Sequence, residues 1–198
     1  MEVLVLLGAP GSGKGTAAAR LGEDPGLCHV STGTLFREAM ADRSPLGEAI
    51  RPYMDRGQLV PDERVVDMVG ALMRDDRSGP RMLLDGFPRT LGQARAFEEL
   101  LKENGSRLSG VVLLDVGPDI LVERLGGRIG CEACGTIYNM LTRPPRQEGT
   151  CDACGAGLSK RDDDRLATIR RRLKIYEERT APLVAFYEER GLLRRIDA

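Results

Sequence analysis

The feature that most constrains the fold is a glycine-rich segment near the amino terminus, Gly8-Ala9-Pro10-Gly11-Ser12-Gly13-Lys14-Gly15-Thr16. It follows an apolar run at residues 3–7 and precedes a helix-favouring stretch at residues 17–21. A strand, a glycine loop and a helix in this order are typical of a phosphate loop, because backbone N–H groups turn inward around an anion at the helix N-terminus. Lys14 adds a mobile charge for the outer phosphates. The segment predicts a nucleoside triphosphate site; the alternative is a strand-to-helix turn without a ligand.

Composition narrows the class of protein. A chain of 198 residues with 41% hydrophobic and 30% charged residues is long enough for one core with small inserted modules. A net charge of −1 disfavours a dedicated nucleic-acid binder, which is usually basic. No apolar run reaches the length of a membrane span, and Met1 leads directly into an apolar strand. We therefore expect no membrane or nucleic-acid partner and a cytoplasmic location.

Strand and helix patterns alternate along most of the chain. Apolar strands are predicted at residues 2–7, 28–30, 81–84, 111–116 and 192–196, and helices at residues 16–21, about 34–54, 62–74, 90–103, 118–124 and 162–189. This alternation predicts an α/β fold with a doubly wound, five-stranded parallel sheet of the P-loop NTPase type, flanked by helices and open for ligands at the carboxyl ends of its strands. Residues 1–30, 61–126 and 165–198 would form the core, residues 31–60 a small helical insertion, and residues 127–164 a second insertion.

The second insertion carries two cysteine pairs, Cys131-Glu132-Ala133-Cys134 and Cys151-Asp152-Ala153-Cys154, which enclose 16 residues. This spacing is typical of a zinc ribbon, and a glycine after each pair lets backbone N–H groups point at the thiolates. Four thiolates favour a closed, structural zinc site, which would supply folding energy to a segment too short for its own core. The alternatives are disulfides or unligated thiols, and iron fits the same four sulfurs.

Charged residues at strand ends indicate phosphate chemistry. Asp85 ends an apolar strand, a position where phosphate-loop enzymes hold the water shell of Mg²⁺, although it could instead cap the next helix. The segment after the second predicted strand contains the hydroxyl residues Ser31, Thr32 and Thr34 and then Arg37, which are suited to binding a second ligand. Further arginines flank the cysteine insertion on both sides: Arg124, Arg128, Arg161 and Arg172. The combination favours phosphoryl transfer, in which positioning and charge neutralisation dominate and a phosphate acceptor needs no general base.

With these motifs together, the chain resembles the adenylate kinase family, in its long bacterial form with a zinc-bearing lid. The resemblance rests on Gly8 to Thr16, including the glycine between lysine and threonine, on Ser31-Thr32-Gly33 ending at Arg37, on Leu84 to Thr90 with Gln93, and on Arg161 to Asp164 leading to Arg172. It implies MgATP + AMP ⇌ 2 ADP by direct in-line transfer, under a lid that closes to exclude water, in a protein that is most easily a monomer.

The resemblance also implies a role for each matching residue, with Gln93 reading the adenine edge of AMP and Asp85 organising Mg²⁺ through water. For ATP these residues are Gly11, Ser12, Gly13, Lys14, Gly15, Thr16, Arg124, Arg128, Ile137 and Tyr138. For AMP they are Thr32, Arg37, Gln58, Leu59, Val60, Gly86, Phe87, Pro88, Arg89, Gln93, Arg161 and Arg172. The catalytic charges among them are Lys14, Arg89, Arg124, Arg128, Arg161 and Arg172, and Cys131, Cys134, Cys151 and Cys154 hold the zinc.

Two positions depart from the family pattern. Thr34 stands where many members carry an aspartate near the Mg²⁺ water network, and we expect the chain to lack the helix that usually follows the last strand. Three alternatives therefore stay open: a broader nucleoside monophosphate kinase that accepts CMP or UMP, a nucleotide-binding regulator with a zinc ribbon, and a poorly active remnant.

Overall fold

The computed structural model describes residues 1–75 and 78–198. Its elements alternate as the sequence patterns predict, apart from two insertions. In chain order they are β1 (Glu2–Leu7), α1 (Lys14–Leu21), β2 (Leu27–Ser31), α2 (Thr32–Ala41), α3 (Pro45–Asp55), α4 (Asp62–Met73), β3 (Arg81–Asp85), α5 (Leu91–Glu103), β4 (Arg107–Asp115), α6 (Pro118–Gly126), β5 (Arg128–Cys131), β6 (Ile137–Asn139), β7 (Leu158–Ser159), α7 (Leu166–Ile175), α8 (Pro182–Glu188) and β8 (Leu193–Asp197).

The main sheet has five strands in the order β2-β3-β1-β4-β8. All neighbouring strands are parallel, with Leu4 opposite Leu83 across β1 and β3 and Val111 opposite Leu193 across β4 and β8. The predicted doubly wound parallel sheet is confirmed. The largest boundary difference is at β4, which begins at Arg107 rather than at residue 111, because this polar segment pairs with the start of β1 beside an irregularity between Val3 and Leu4.

The main core lies on one face of this sheet. Val3, Val5 and Leu7 of β1 are buried there, and Phe97 of α5 and Leu183 of α8 belong to the same cluster. Burying a side chain of this size contributes about 1.5–3 kcal/mol, so this face holds the sheet and its helices together. The opposite face is less deeply covered: Leu6 packs against Ala18 of α1, whereas Leu4 is 36% exposed. Burial on both faces of β1, expected for a central parallel strand, is therefore incomplete.

The first insertion contains two helices, α2 and α3, within the segment predicted to be helical from about residue 34 to residue 54. The break between α2 and α3 contains Arg43, whose φ is +49°. Ser44 then caps α3 by accepting a hydrogen bond from the Gly47 N–H at 3.1 Å, and Pro45 occupies its first turn. At Gly47 a Cβ would collide with the Ala39 carbonyl, so the glycine allows α2 and α3 to pack closely.

The second insertion forms a separate antiparallel sheet in the order β6-β5-β7. Its strands are two to four residues long, too short for a hydrophobic period to predict them. The predicted helical stretch at 162–189 is also divided. A 3₁₀ turn at Asp162–Asp164 precedes α7, a π-helical turn at Tyr176–Thr180 follows it, and Pro182 begins α8. Within the described residues, none of the helices has the length and apolar character that crossing a bilayer requires.

Candidate active site

The carboxyl ends of all five parallel strands open into one cavity of about 890 Å³. Leu7 of β1, Ser31 of β2, Asp85 of β3, Leu114 of β4 and Ala198 after β8 line it. Among the described lining residues nine are lysine or arginine and two are aspartate, so the cavity carries a strong positive potential. This is the place that a doubly wound sheet provides for an anionic ligand.

The phosphate loop at residues 8–16 forms one wall of the cavity. Gly8 and Gly11 adopt φ values of +149° and +86°, and at Gly8 a Cβ would lie 2.6 Å from Ser12 Oγ and 2.7 Å from the Leu114 carbonyl oxygen. Only glycine fits there without displacing the loop. The Lys14 ammonium donates to the Gly8 carbonyl at 2.7 Å and to the Ala9 carbonyl at 2.8 Å. The loop is thus folded around its own lysine, with α1 beginning at that residue.

The Lys14 ammonium lies in a field of other cations. Burial is the main reason that its pKa falls to about 8, and the charges of Arg89, Arg172 and Arg128 lower it further while Asp85 opposes the shift. A polyphosphate would reverse this shift, because a negative charge near the ammonium favours its protonated form. Lys14 is therefore coupled electrostatically to groups on several other elements of the site.

Two arginines of the cavity are held by one buried carboxylate. Arg128 donates from Nε and Nη2 to the two oxygens of Asp164 at 2.6 and 2.5 Å, a bidentate pair. Arg172 donates to the same carboxylate at 3.1 Å and to Asp163 Oδ2 at 2.8 Å. Asp164 is fully buried. Burial lowers the pKa of the nearby Arg161 to about 10, and Arg128 and Arg37 add to the shift, so the cluster is only partly neutralised.

Another part of the cavity lining is formed at the end of β3, the strand next to β1. Arg89 donates from Nε to the Gly86 carbonyl at 2.7 Å, and Thr32 Oγ1 donates to the same carbonyl at 3.0 Å. Gly86 has a φ of +84°, and a Cβ there would lie 2.7 Å from Thr32 Oγ1 and 2.9 Å from Arg89 Nη2. Burial, and then the charge of Arg172, lowers the pKa of Arg89. This turn places a second cation, Arg89, in the lining of the cavity.

A chain of hydroxyls links Asp85 to Arg37. Ser31 donates to Asp85 Oδ2 at 3.5 Å, Thr34 donates to Ser31 Oγ at 3.3 Å, and Arg37 Nη2 donates to Thr34 Oγ1 at 3.1 Å. Thr34, at the position that departs from the family pattern, therefore connects Arg37 through Ser31 to the Asp85 carboxylate. A carboxylate with a neighbouring hydroxyl offers oxygen ligands, which fit Mg²⁺ held through its water shell.

Gln93 is a buried amide in the wall of the cavity. Its Nε2 donates to Asp62 Oδ1 at 2.8 Å, and its Oε1 accepts from the backbone N–H of Arg89 at 2.7 Å. Thr90 Oγ1 donates to the other Asp62 oxygen at 2.7 Å and accepts from the Gln93 backbone N–H at 3.0 Å, which caps α5. The side chain is thereby fixed at the start of its helix.

The second insertion brings its four cysteines together. Their Sγ atoms all lie within 4.8 Å of one another, and Cys131 to Cys154 and Cys134 to Cys151 are each 3.5 Å apart. Thiolates bound to zinc at about 2.3 Å in a tetrahedron would be about 3.8 Å apart, so the cluster fits such an ion. Each cysteine in the described residues is a free thiol, against the disulfide alternative.

Tyr138 joins this cluster to the cavity. Its hydroxyl accepts from the Asp152 backbone N–H at 2.8 Å and lies 3.5 Å from Cys151 Sγ. The Tyr138 hydroxyl, with the Ala153 and Cys154 backbone N–H groups, lowers the pKa of Cys151 to about 6. These contacts stabilise a thiolate, the form that binds a metal. Since Tyr138 also lines the cavity, one residue of β6 contacts both places.

Comparison with known proteins agrees with this geometry. A sequence model described as adenylate kinase matches residues 6–192. An adenylate kinase of Carboxydothermus hydrogenoformans is 46% identical over 98% of this chain and 91% of its own length. Adenylate kinases of Moorella thermoacetica and Bacillus subtilis are 47% and 44% identical, each over 98% of this chain and 89% of their own length. The chain belongs to the adenylate kinase family. It is accordingly a phosphotransferase, and the cysteine cluster supports the zinc-lid type.

Nearly all the residues that the adenylate kinase resemblance assigns to a nucleotide or to Mg²⁺ lie at the cavity. Phe87 is the exception, since its fully buried ring packs edge-on against Phe97, with centroids 5.3 Å apart. Those that line the cavity are Gly11, Ser12, Gly13, Lys14, Gly15, Thr16, Thr32, Arg37, Gln58, Leu59, Val60, Asp85, Gly86, Pro88, Arg89, Gln93, Arg124, Arg128, Ile137, Tyr138, Arg161 and Arg172.

Sequence reasoning missed the groups that hold these residues in place. Asp62 fixes Gln93, and Asp164 fixes Arg128 and Arg172. In the sequence, Asp62 is recognisable only as an acidic residue in the first turn of a predicted helix, where its negative charge interacts favourably with the helix dipole. Asp164 belongs to a run of aspartates beside the lid, and nothing in that run distinguishes the buried carboxylate from a solvated one.

Proposed function

We propose that this chain transfers the γ-phosphoryl group of ATP to AMP and releases two ADP, with ATP on the phosphate-loop side of the cavity and AMP on the Gly86–Gln93 side. The observation that carries the proposal is the convergence of cations from separate elements on one cavity. Lys14 comes from the phosphate loop and Arg37 from α2, and Arg89 follows β3. Arg128 comes from β5 and Arg172 from α7. The phosphate loop with Lys14 accounts for one nucleotide, and the additional arginines favour a second phosphorylated ligand in the same cavity.

The transfer follows from this arrangement of charge. An oxygen of the AMP phosphate attacks the γ-phosphorus, the bond from that phosphorus to the β–γ bridging oxygen breaks, and ADP leaves with the bonding electrons. The attacking oxygen is already ionised at neutral pH, so no general base is required. Lys14, Arg89 and Arg172 stabilise the negative charge that spreads over the transferring group.

Metal ions have two separate places in this proposal. Asp85 would hold Mg²⁺ through water, and the ion would supply positive charge that neutralises the phosphates of ATP. The four cysteines would hold a structural zinc ion that maintains the short strands of the lid. Asp163 and Asp164 hold two arginines at the lid boundary until phosphates compete for them. Closure of the lid excludes water, so that phosphoryl transfer to water is suppressed.

The proposal extends to the cellular setting. ATP, AMP and ADP are the partners, and neither nucleic acid nor a membrane is one. A cytoplasmic monomer provides everything the reaction needs, since every group named above comes from a single chain.

The test separates the two nucleotide sides by kinetics. Arg37→Ala should raise KM for AMP at least about tenfold with little effect on KM for ATP, since a charged hydrogen bond contributes roughly 1.5–3 kcal/mol. Arg124→Ala should show the reverse pattern. Arg171→Ala is the matched control, because Arg171 is exposed and lies beside Arg172 on the same helix. Equal effects of both variants on both KM values would contradict the assignment of sides.

A further inference from the structure

An aspartate lies directly behind the amide in the cavity wall. Gln93 is 1% exposed and lines the cavity, whereas Asp62 is absent from the described residues that line it. Gln93 Nε2 donates to Asp62 Oδ1 at 2.8 Å, and the Arg89 backbone N–H donates to Gln93 Oε1 at 2.7 Å. Each amide atom thus has one protein partner, which leaves one Nε2 hydrogen and one Oε1 lone pair for a ligand.

The two partners have opposite polarity, and this decides the orientation of the amide. A carboxylate only accepts and a backbone N–H only donates. Turning the Gln93 amide over would set its NH₂ group against the Arg89 N–H and its oxygen against the Asp62 carboxylate. Both mismatches would be buried, where an unsatisfied polar group costs about 1–3 kcal/mol. The donor and acceptor left for a ligand therefore have fixed positions.

Asp62 is itself held by its surroundings. Its second oxygen accepts from Thr90 Oγ1 at 2.7 Å. At Gly92 a Cβ would lie 2.9 Å from Asp62 Oδ2, so the absence of a side chain at that position leaves room for the carboxylate. Asp62, Thr90 and Gln93 thus form a fixed unit that joins the starts of α4 and α5.

We propose that Asp62 is a positioning residue that sets the base preference of the acceptor side by fixing the Gln93 amide. The inference rests on the proposed placement of AMP on that side. A fixed amide matches a base whose exocyclic amino group adjoins a ring-nitrogen acceptor, as in adenine. It opposes a base with a carbonyl at the same place, as in hypoxanthine, because acceptor then meets acceptor.

The test compares AMP with inosine 5′-monophosphate (IMP), which differs at the groups that the amide would read. Asp62→Asn is nearly isosteric and replaces the acceptor-only carboxylate with an amide that can either accept or donate, so the orientation of the Gln93 amide then depends on the Arg89 backbone N–H alone. We expect kcat/KM for AMP to fall about tenfold. The ratio of kcat/KM for AMP to kcat/KM for IMP should fall by at least about tenfold, since a bidentate base contact is worth roughly a factor of 5 to 150. The KM for ATP should not change. Asp67→Asn, an exposed position on the same helix, should keep the wild-type ratio.

Gln93→Ala distinguishes a failure of the proposed role of Asp62 from a failure of the proposed placement of AMP. If Gln93→Ala abolishes the preference for AMP while Asp62→Asn keeps the wild-type ratio, the role of Asp62 is refuted and the acceptor side stands. If Gln93→Ala leaves the AMP kinetics unchanged, the placement of AMP is itself wrong. Should Asp62→Asn fail to fold, Gly92→Ala displaces the same carboxylate by sterics and must also lower the ratio. Equilibrium titration with AMP and IMP gives the same comparison without turnover.

Discussion

Asp164→Ala removes a buried carboxylate that binds two guanidinium groups. Asp164 is fully buried, and the side chains of Arg128 and Arg172 are only 16% and 19% exposed. Breaking a buried ion pair by removing one partner costs about 3–5 kcal/mol. We expect the lower end, about 3 kcal/mol, because both arginines keep some solvent contact and Arg172 keeps Asp163 at 2.8 Å. In a chain of this length that corresponds to a fall in Tm of roughly 6–12 °C.

Urea unfolding of the wild type and two variants measures this loss. Asp163→Ala is the matched control. Within the described residues Asp163 pairs with Arg172 at 2.8 Å and forms no ion pair with Arg128, so we expect its loss to destabilise the protein less. Saturating ATP should stabilise Asp164→Ala more than the wild type, because the phosphates supply the negative charge that was removed. A loss below about 1 kcal/mol, or a loss equal to that of Asp163→Ala, would refute the claim that Asp164 neutralises the cluster.

Three further perturbations test other parts of the site. Because the pKa of Lys14 is about 8, ATP binding at pH 8.5 should be accompanied by proton uptake, whereas binding at pH 6.5, or binding to the Lys14→Met variant, should not. Calorimetry in buffers of different ionisation enthalpy measures the number of protons taken up. The absence of proton uptake at both pH values would contradict this prediction. The same shift means that the contribution of Lys14 to the stability of the ligand-free protein rises between pH 8 and its ordinary pKa of 10.5, where the unfolded chain binds more protons. Gly8→Ala, whose Cβ would lie 2.6 Å from Ser12 Oγ, should lower the free energy of unfolding by more than Gly105→Ala, where a Cβ meets no atom within 4 Å. Urea unfolding measures both free energies. Equal destabilisation by the two substitutions would show that the phosphate loop adapts to the added Cβ. Cys151→Ser should lower the unfolding temperature and leave activity in the folded fraction if the metal is structural, whereas a stable but inactive variant would assign the metal a chemical role.

Local patterns predicted the scaffold because the information lay in neighbouring residues. The phosphate loop combines a strand, glycines at positive φ and a helix start within one segment, and β1 ends at Leu7 as its apolar run predicts. The break between α2 and α3 had a local signal in Ser44-Pro45, a capping residue followed by a helix-starting proline, which the apolar pattern across residues 34–54 concealed. Short lid strands had no such signal.

The contacts that orient the site could not be predicted in this way. Asp62 and Gln93 are separated by 31 residues, and Arg128 and Asp164 by 36. Their pairing depends on how α4 meets α5 and on how the lid returns to the core, neither of which one chain's periodicity specifies. Motifs therefore pointed to the groups that face the cavity, whereas the carboxylates that fix those groups became visible only in the folded chain.

The most direct test of the account measures ADP formation from MgATP with AMP, CMP, UMP and GMP offered separately, beside a control without acceptor. We predict rapid turnover with AMP, far slower turnover with GMP and UMP, and almost no ADP in the control. Comparable rates with all four acceptors, or ADP formed equally well without any, would contradict phosphoryl transfer to AMP as the function of this site.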